Sequence, residues 1–397
     1  MIDQSYRIGD RIFENRLVFQ PMEGRSCLAD GSPSELTARK YMRAAESVAG
    51  TVWFEACAVC PEGRTGDTQM MLTENSAGAF SSLLAKMKKA SGGRQIYILQ
   101  LTHSGRQSAS PIIAYHNALY EAKKPVPPGC VATDGYLGSL PALYAKSARL
   151  AVEVGFDGVD VKSCHGYLLQ ELLSAHSREG DYGGCFENRT RLLLDCVRAV
   201  RSAIPSDMIV ASRLGVSDVV PYPYGFGTDA DGNIDYAEPD ALISELIRAG
   251  VGLINVTVGN PYYNPHVNRP FRKGGYIPPE SPRTGLQRFI AVQKHIKEKF
   301  PSLPLVGSGM SYYGKDIIEK SQELLRDGVC DLVGFGRMWL AYPEIYRDHL
   351  SKAQTRPKYC VTCSRCTELM RGGMPSGCAV YDEYYKELYA KMNENGR

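Results

Sequence analysis

The sequence lacks the features that place a chain in a membrane or on nucleic acid. No apolar run approaches the roughly 18 residues that a membrane-spanning helix needs. The N-terminus, MIDQSYRIGDRIFENR, carries charges from the start and has no apolar signal core. The net charge is +3, which is too small to indicate a nucleic-acid partner. These absences predict a cytoplasmic protein that binds neither membranes nor nucleic acid.

Internal repeats, low-complexity tracts and a convincing dinucleotide-binding turn are also missing. The one G-x-G-x-x-G/A match, Gly225–Ala230, follows Pro221 and Pro223 and reads as part of a loop. A doubly wound nucleotide-binding sheet would carry this turn after an early strand. That fold is therefore the weaker alternative for a chain of 397 residues, a length that suits one large decorated barrel or two domains.

Short apolar strands alternate with helical segments along most of the chain. Alternation of this kind favours a parallel sheet, and long loops after the strands favour an α/β fold of the (β/α)8 TIM barrel type. We predict a barrel domain over 1–354 and a C-terminal cysteine-rich extension over 355–397. The predicted strands are 17–21, 51–59, 95–101, 159–162, 208–214, 253–258, 303–307 and 331–336. The predicted helices are 34–48, 77–91, 140–154, 188–203, 238–249, 284–300 and 315–326.

Three polar residues crowd together where the strand 159–162 gives way to a loop. Side chains alternate along a strand, so the two valines should face the helices while Asp160 and Lys162 face the barrel axis. His165 and Tyr167 follow within five positions of Lys162. A TIM barrel carries its chemistry at the C-terminal ends of its strands, so we predict catalytic residues here. A solvated lysine and a buried structural histidine are the alternative.

The last two predicted strands both end in glycine-rich turns. Gly307-Ser308-Gly309 ends the seventh strand, and Gly334-Phe335-Gly336-Arg337 ends the eighth. Exposed backbone N–H groups and an arginine at these two positions are typical of the phosphate site of a barrel. Either turn alone would be ordinary, but together they predict a phosphate-bearing cofactor.

The C-terminus concentrates four of the twelve cysteines. Tight thiolate clusters bind zinc or iron–sulfur clusters, and zinc usually takes two separated pairs. Three close cysteines and a remote fourth fit a 4Fe–4S cluster better, with core thiols as the expected role of the other eight. The predicted ligands are Cys360, Cys363, Cys366 and Cys378.

These motifs together resemble the Old Yellow Enzyme family of flavin ene-reductases. The resemblance is strongest to the iron–sulfur branch, which includes bacterial 2,4-dienoyl-CoA reductase, 2-enoate reductase and trimethylamine dehydrogenase, and it runs from Asn15 to about Asp382. The matching segments are NRLV at 15–18 with Pro21-Met22, EACAV at 55–59, QLTHSGR at 100–106, HGYLL at 165–169, YGG at 182–184 with ENR at 187–189, Arg213, Gly336-Arg337 and the four cysteines.

The resemblance implies that the barrel holds FMN. By position, Pro21, Met22 and Ala56 would line the isoalloxazine. Gln100 would bond its pyrimidine edge, and Arg213 would lie beside N1. The phosphate would be held by Ser308, Gly309, Gly336 and Arg337. Two positions depart from the family pattern. Lys162 stands where many relatives carry His or Asn, and Glu23 stands near the flavin C4 carbonyl where Thr or Cys is common.

The implied reaction is reduction of a carbon–carbon double bond conjugated to a carbonyl. Hydride would pass from FMN N5 to the β-carbon, Lys162 and His165 would bind the carbonyl oxygen, and Tyr167 would protonate the α-carbon. The substrate stays open among an enoyl-CoA, a free enoate, a steroid enone and an aromatic acid. An amine dehydrogenase using an aromatic bowl with Tyr262 and Tyr263 is one alternative. A non-catalytic flavin and iron–sulfur electron carrier is another.

The cysteine cluster also predicts how electrons arrive. Larger relatives continue into a second flavin domain and a nicotinamide domain, and no such domain fits this sequence. A cluster moves single electrons, so we expect a separate electron-transfer protein to dock near Cys360–Cys378. The sequence leaves NAD(P)H open as an external donor, and it leaves a homo-oligomer and a purely structural cluster open as well.

Overall fold

The structure is a computed structural model that describes residues 1–272, 274–352 and 357–395. Its strands, in chain order, are β1 Tyr6–Ile8, β2 Arg11–Phe13, β3 Leu17–Phe19, β4 Thr51–Ala58, β5 Ile96–Thr102, β6 Gly158–Val161, β7 Ile209–Gly215, β8 Leu253–Thr257, β9 Leu305–Gly307 and β10 Leu332–Phe335. Its helices are α1 Glu35–Glu46, α2 Ala77–Ser91, α3 Ala118–Glu121, α4 Asp134–Val154, α5 Leu168–Leu173, α6 Phe186–Ala203, α7 Ala237–Arg248, α8 Pro265–Asn268, α9 Pro282–Lys299, α10 Ile317–Arg326, α11 Arg337–Ala341, α12 Ile345–Ser351, α13 Arg365–Arg371 and α14 Glu383–Asn395.

Strands β3 to β10 form a closed parallel barrel in sequential order. Each strand pairs with the next, and β10 returns to β3 with Gly334 opposite Val18. The eight predicted strands are all present, and the predicted (β/α)8 TIM barrel is confirmed. Because the strands are parallel, their C-terminal ends share one face of the barrel. The predicted chemistry-bearing loops therefore converge at a single mouth.

Two apolar layers hold the barrel together. The inner layer contains Trp53, Ile98 and Leu332, and the outer layer packs the strands against the helices. Both valines of β6 belong to the outer layer, while Asp160 bonds Trp53 inside the barrel, as the alternation predicts. The hairpin of β1 and β2, which was not predicted, brings Phe13 into the inner layer near the strand starts.

Helix α4 begins earlier than the sequence predicts. The prediction started at Leu140 and left Gly135 and Gly138 outside the helix. The structure extends the helix back to Asp134, where the Thr133 hydroxyl accepts the Tyr136 N–H at 3.2 Å. A good N-cap and packing against α6 outweigh the poor helix propensity of the first turns.

The C-terminal extension packs on the first helix of the barrel. Leu369, Ala379 and Tyr385 form a small core against Leu36 of α1. Asp382 also accepts hydrogen bonds from Arg39 and Arg43 of that helix, which pair with it at 2.9 and 3.2 Å. The predicted boundary at 354/355 lies outside the described residues. Among the helices that the structure describes, none has the length and apolarity to cross a bilayer.

A buried ion pair fixes the loop that follows β3. The Lys40 ammonium contacts the Glu55 carboxylate and donates to the Met22 carbonyl at 3.1 Å. The second Glu55 oxygen accepts the Gly24 N–H at 2.5 Å. The residue between them, Glu23, is thereby held at the barrel mouth.

Replacing Lys40 by methionine should therefore destabilise the fold and loosen this loop. Removing one partner of a buried pair leaves an uncompensated charge, at a cost of about 3–5 kcal/mol. The exposed pair of Lys146 and Glu74 provides a matched control, because Lys146→Met should cost less than about 1 kcal/mol. Denaturant unfolding of both variants measures the difference. Equal losses would contradict the structural role of Lys40, and the double variant Lys40→Met/Glu55→Gln should recover part of the loss.

Candidate active site

A cavity at the barrel mouth collects every flavin-binding and catalytic residue that the sequence predicts. The placement is a fact of the structure, whereas the role of each residue stays a prediction. The lining includes Pro21, Met22, Glu23, Ala56, Gln100, Lys162, His165, Tyr167, Arg213, Ser308, Gly309, Gly336 and Arg337.

Asp160 organises the floor of this cavity. Its carboxylate accepts from Gln100 Nε2 at 2.6 Å, from Trp53 Nε1 at 2.9 Å and from the Arg213 backbone N–H at 2.6 Å. Burial raises the pKa of Asp160 to about 6. The Gln100 amide is therefore oriented by Asp160, which the sequence analysis did not assign to the site. Its strand position facing the barrel axis was the available signal.

Arg213 reaches the cavity with unused hydrogen-bonding capacity. Its Nη1 donates to the Pro21 carbonyl at 3.2 Å, while its buried Nε has no hydrogen-bond partner among the described residues. Burial lowers the pKa of this guanidinium. An electron-rich ring edge with hydrogen-bond acceptors would satisfy it.

The opposite end of the cavity is built from the turns after β9 and β10. Gly309 has φ +92°, a left-handed conformation that favours glycine. Arg337 donates through Nη2 to the Pro270 carbonyl at 3.1 Å, and its buried Nη1 has no partner in the described part of the chain. Gln20 donates to the Ser308 hydroxyl at 3.1 Å and was missed by the sequence analysis. An anion would suit this end.

A second arginine near this end was also missed. Arg269 lies on the loop after β8, and it donates to the Thr367 hydroxyl, while its buried Nε has no partner within the described ranges. Burial and repulsion from Arg337 and Arg371 lower its pKa to about 10. Like charges this close indicate that an anion belongs between them. The residues at both ends of the cavity therefore fit FMN, with its phosphate at the arginine end.

The Tyr167 side chain lies between the carboxylate of Glu23 and the ammonium group of Lys162. Its hydroxyl donates to Glu23 Oε2 at 3.0 Å, and the Lys162 ammonium lies 3.4 Å from the centre of its ring. The other Glu23 oxygen accepts from the Thr65 hydroxyl at 3.1 Å. Burial, Glu23 and Tyr262 raise the pKa of Tyr167 well above its ordinary value.

His165 adopts a left-handed backbone conformation, with φ +66°. Its Nε2 is buried and has no hydrogen-bond partner among the residues that the structure describes. Burial, Arg213 and Lys162 lower its pKa well below the usual value, so the imidazole is neutral at pH 7. Burial also lowers the pKa of Lys162, to about 8, so the ammonium form is held only below that pH.

The four predicted cysteine ligands line one pocket beside the cavity. Arg337 and Cys366 line both spaces. The Thr362 N–H lies 3.4 Å from the Cys360 sulfur, and Thr362 and Ser364 have left-handed φ values that curl the segment around the pocket. In the described part of the chain, no group of three or more His, Cys, Asp or Glu side chains could hold a metal ion.

Comparisons with known proteins agree with this architecture. The model of the NADH:flavin oxidoreductase / NADH oxidase family matches residues 4–230. An NADH oxidase of Thermoanaerobacter brockii is 25% identical over 373 residues, which cover 90% of this chain and 52% of that protein. The chain thus spans about half the length of this relative.

Two solved structures share the fold. A complex of 2-naphthoyl-CoA reductase with 2-naphthoyl-CoA has a TM-score of 0.80 at 18% identity, covering 97% of this chain and 57% of the other. An Old Yellow Enzyme homologue from Zymomonas mobilis has a TM-score of 0.68 at 23% identity, covering 90% and 94%. At these identities the likeness establishes the fold alone.

The closed barrel with its polar mouth defines a TIM-barrel oxidoreductase. The chain belongs to the NADH:flavin oxidoreductase / NADH oxidase family, and the predicted resemblance to the Old Yellow Enzyme family is confirmed at the level of this family. Membership of this family supports FMN as the cofactor of the cavity described above. The iron–sulfur branch stays a prediction.

The lowered pKa of Lys162 predicts how anionic ligands bind the FMN-loaded protein. The charged and titratable groups that act on this ammonium are Cys164, Glu23, Arg213 and Asp160. An aromatic carboxylate should lose roughly tenfold in affinity as the pH rises through about 8, because Lys162 then loses its charge.

Flavin-spectrum titrations across this pH range provide the measurement. Lys162→Met should bind the carboxylate weakly at every pH, whereas the remote control Lys146→Met should keep the wild-type profile. A pH step that persists in Lys162→Met would show that another group carries it.

Proposed function

We propose that this oxidoreductase reduces the carbon–carbon double bond of an α,β-unsaturated carbonyl compound. The observation that carries the proposal is the grouping of Lys162, His165 and Tyr167 in the cavity that fits FMN. The cofactor, when bound, supplies hydride chemistry, and the surrounding side chains must then manage the carbonyl oxygen and a proton. These three residues have the chemistry for both tasks.

Two side chains would bind the carbonyl oxygen. His165 is neutral, and its Nε2 has no partner among the described residues, so it can donate one hydrogen bond to that oxygen as its Nε2–H tautomer. Lys162 supplies positive charge below its pKa of about 8. Donors and charge aimed at the oxygen stabilise the negative charge that develops there.

Tyr167 would protonate the α-carbon, and its contacts define what this requires. Its hydroxyl proton is directed at Glu23, so that bond must break or reverse before the proton reaches a substrate. Rotation of the Tyr167 hydroxyl away from Glu23 would present its proton to the substrate. Lys162, over the ring face, would stabilise the phenolate that forms.

Amine oxidation is the second candidate function. Tyr262 stacks on Tyr167 with ring centres 6.5 Å apart, so part of an aromatic bowl is present. However, Lys162, Arg213 and Arg269 also line the cavity and would repel an amine cation. The charge balance therefore favours a carbonyl substrate over an amine, and a shaped polar cavity disfavours a purely electron-carrying role.

Tyr167→Phe should leave reduction of the flavin intact and slow its reoxidation by an enone. Loss of a proton donor typically costs about 10²–10⁴-fold. Tyr222→Phe is the matched control, since it removes an exposed phenol that does not line the cavity. Stopped-flow measurement of the two half-reactions separates the outcomes. Unchanged rates in both half-reactions would exclude Tyr167 as the acid.

We further propose that Cys360, Cys363, Cys366 and Cys378 hold a 4Fe–4S cluster. Their shared pocket beside Arg337 supports this, as does the Thr362 N–H directed at the Cys360 sulfur. Such a cluster would exchange single electrons close to the flavin phosphate.

A separate electron-transfer protein, such as a ferredoxin, would dock over this pocket. Its rim presents Val361, which is 56% exposed, so an apolar contact is available beside the cysteines. NAD(P)H reacting directly at the flavin is the competing electron source, and the family membership supports it.

Cys363→Ser should lose iron and acid-labile sulfide while keeping FMN. The wild type should contain about four irons per chain. Reduction of the FMN by reduced ferredoxin should also be lost in this variant, whereas Cys330→Ser, in a buried core thiol, should retain both properties. Stoichiometric zinc without sulfide would contradict the cluster. Rapid reduction by NADH or NADPH in both variants, without any ferredoxin response, would contradict the partner.

A further inference from the structure

A second cavity opens beside the first one and shares a wall with it. Glu23, Tyr262, Met370 and Arg371 line both cavities. A molecule whose reactive end lies beside Tyr167 can therefore extend into the second cavity. None of the predicted flavin contacts other than Glu23 belongs to this space.

The second cavity carries an unbalanced positive charge. Four cations line it, and its one acid, Glu23, already bonds Tyr167 and Thr65. Among the described residues, none of the four forms an ion pair with a carboxylate, and three of them donate instead to backbone carbonyls. The four cations are Arg25, Lys123, Lys124 and Arg371.

Arginines elsewhere in the barrel behave differently. Arg106 pairs with Glu171, Arg189 with Glu238, and Arg178 with Asp134. The four cations of the second cavity therefore lack the carboxylate partners that these three buried arginines have. The aromatic faces of Tyr263 and Tyr276 also line it, so it offers both cations and stacking surfaces.

We propose that the second cavity binds the phosphate-bearing tail of a nucleotide-type reactant whose reactive end lies beside Tyr167. Clustered lysines and arginines suit several phosphate charges, and tyrosine faces suit a heteroaromatic base. The tail could belong to the acyl substrate, as in a coenzyme A thioester, or to the nicotinamide reductant. The inference rests on the proposed function, since it places the reactive end in the flavin cavity.

Paired ligands test the proposal on the FMN-loaded protein. One α,β-unsaturated acyl group is presented as its coenzyme A thioester and as its N-acetylcysteamine thioester, which lacks phosphates. NADPH and a truncated nicotinamide without phosphates form the second pair. We expect at least one pair to show a preference of roughly tenfold or more for the phosphate-bearing member in flavin-spectrum titrations, and that preference should weaken with salt.

The double variant Lys123→Glu/Lys124→Glu should abolish the preference while leaving affinity for the truncated ligand unchanged. Lys86→Glu/Lys89→Glu, an equal charge change on the exposed side of α2, should leave it intact. Equal affinities within both pairs in the wild type, or a preference that survives the Lys123/Lys124 variant, would overturn the inference. Oxidation of the reduced flavin by a small enone in either case would leave the proposed function standing.

Discussion

Three arginines at the barrel mouth each have one buried guanidinium nitrogen without a hydrogen-bond acceptor among the described residues. They are Arg213, Arg269 and Arg337, and each is buried or nearly so. Buried cations with an unsatisfied nitrogen and no counter-charge are costly, and Arg269 and Arg337 also repel one another. The arrangement makes physical sense around an anionic cofactor that gives these groups their partners. The mouth of the barrel is therefore shaped for FMN before any substrate is considered.

The residues around this cavity also connect parts of the chain that are distant in sequence. Arg269 comes from the loop after β8 and bonds Thr367 of the C-terminal extension, while Ser376 of that extension donates its N–H to the Gly24 carbonyl at 2.7 Å. Gly24 is in turn fixed by Glu55. The extension that carries the cysteines thus closes over the cavity. Arg337 lines both the phosphate end of the cavity and the cysteine pocket.

The strands of the barrel could be predicted from the sequence more fully than the contacts of its site. Strand β4 is buried along its whole length and is apolar except for Thr51 and Glu55, so the strand pattern was clear. The placement of Lys162 and Arg213 at the site could be predicted, because both lie at or near C-terminal ends of strands that meet at one face of the barrel. The pairing of Glu23 with Tyr167 joins residues 144 positions apart, and no local pattern reveals it. Arg269 and the second cavity depend on how long loops pack, which periodicity does not encode.

The direction of electron flow at the flavin is the central claim, and anaerobic mixing tests it most directly. Photoreduced, FMN-loaded protein is mixed with a panel of enones, enoates and enoyl thioesters, and the oxidised protein is mixed with amines. The account predicts that a conjugated carbonyl compound reoxidises the flavin and is recovered with its double bond saturated, while amines leave the oxidised spectrum unchanged. Bleaching of the oxidised flavin by an amine, with no reoxidation by any unsaturated carbonyl compound, would contradict it.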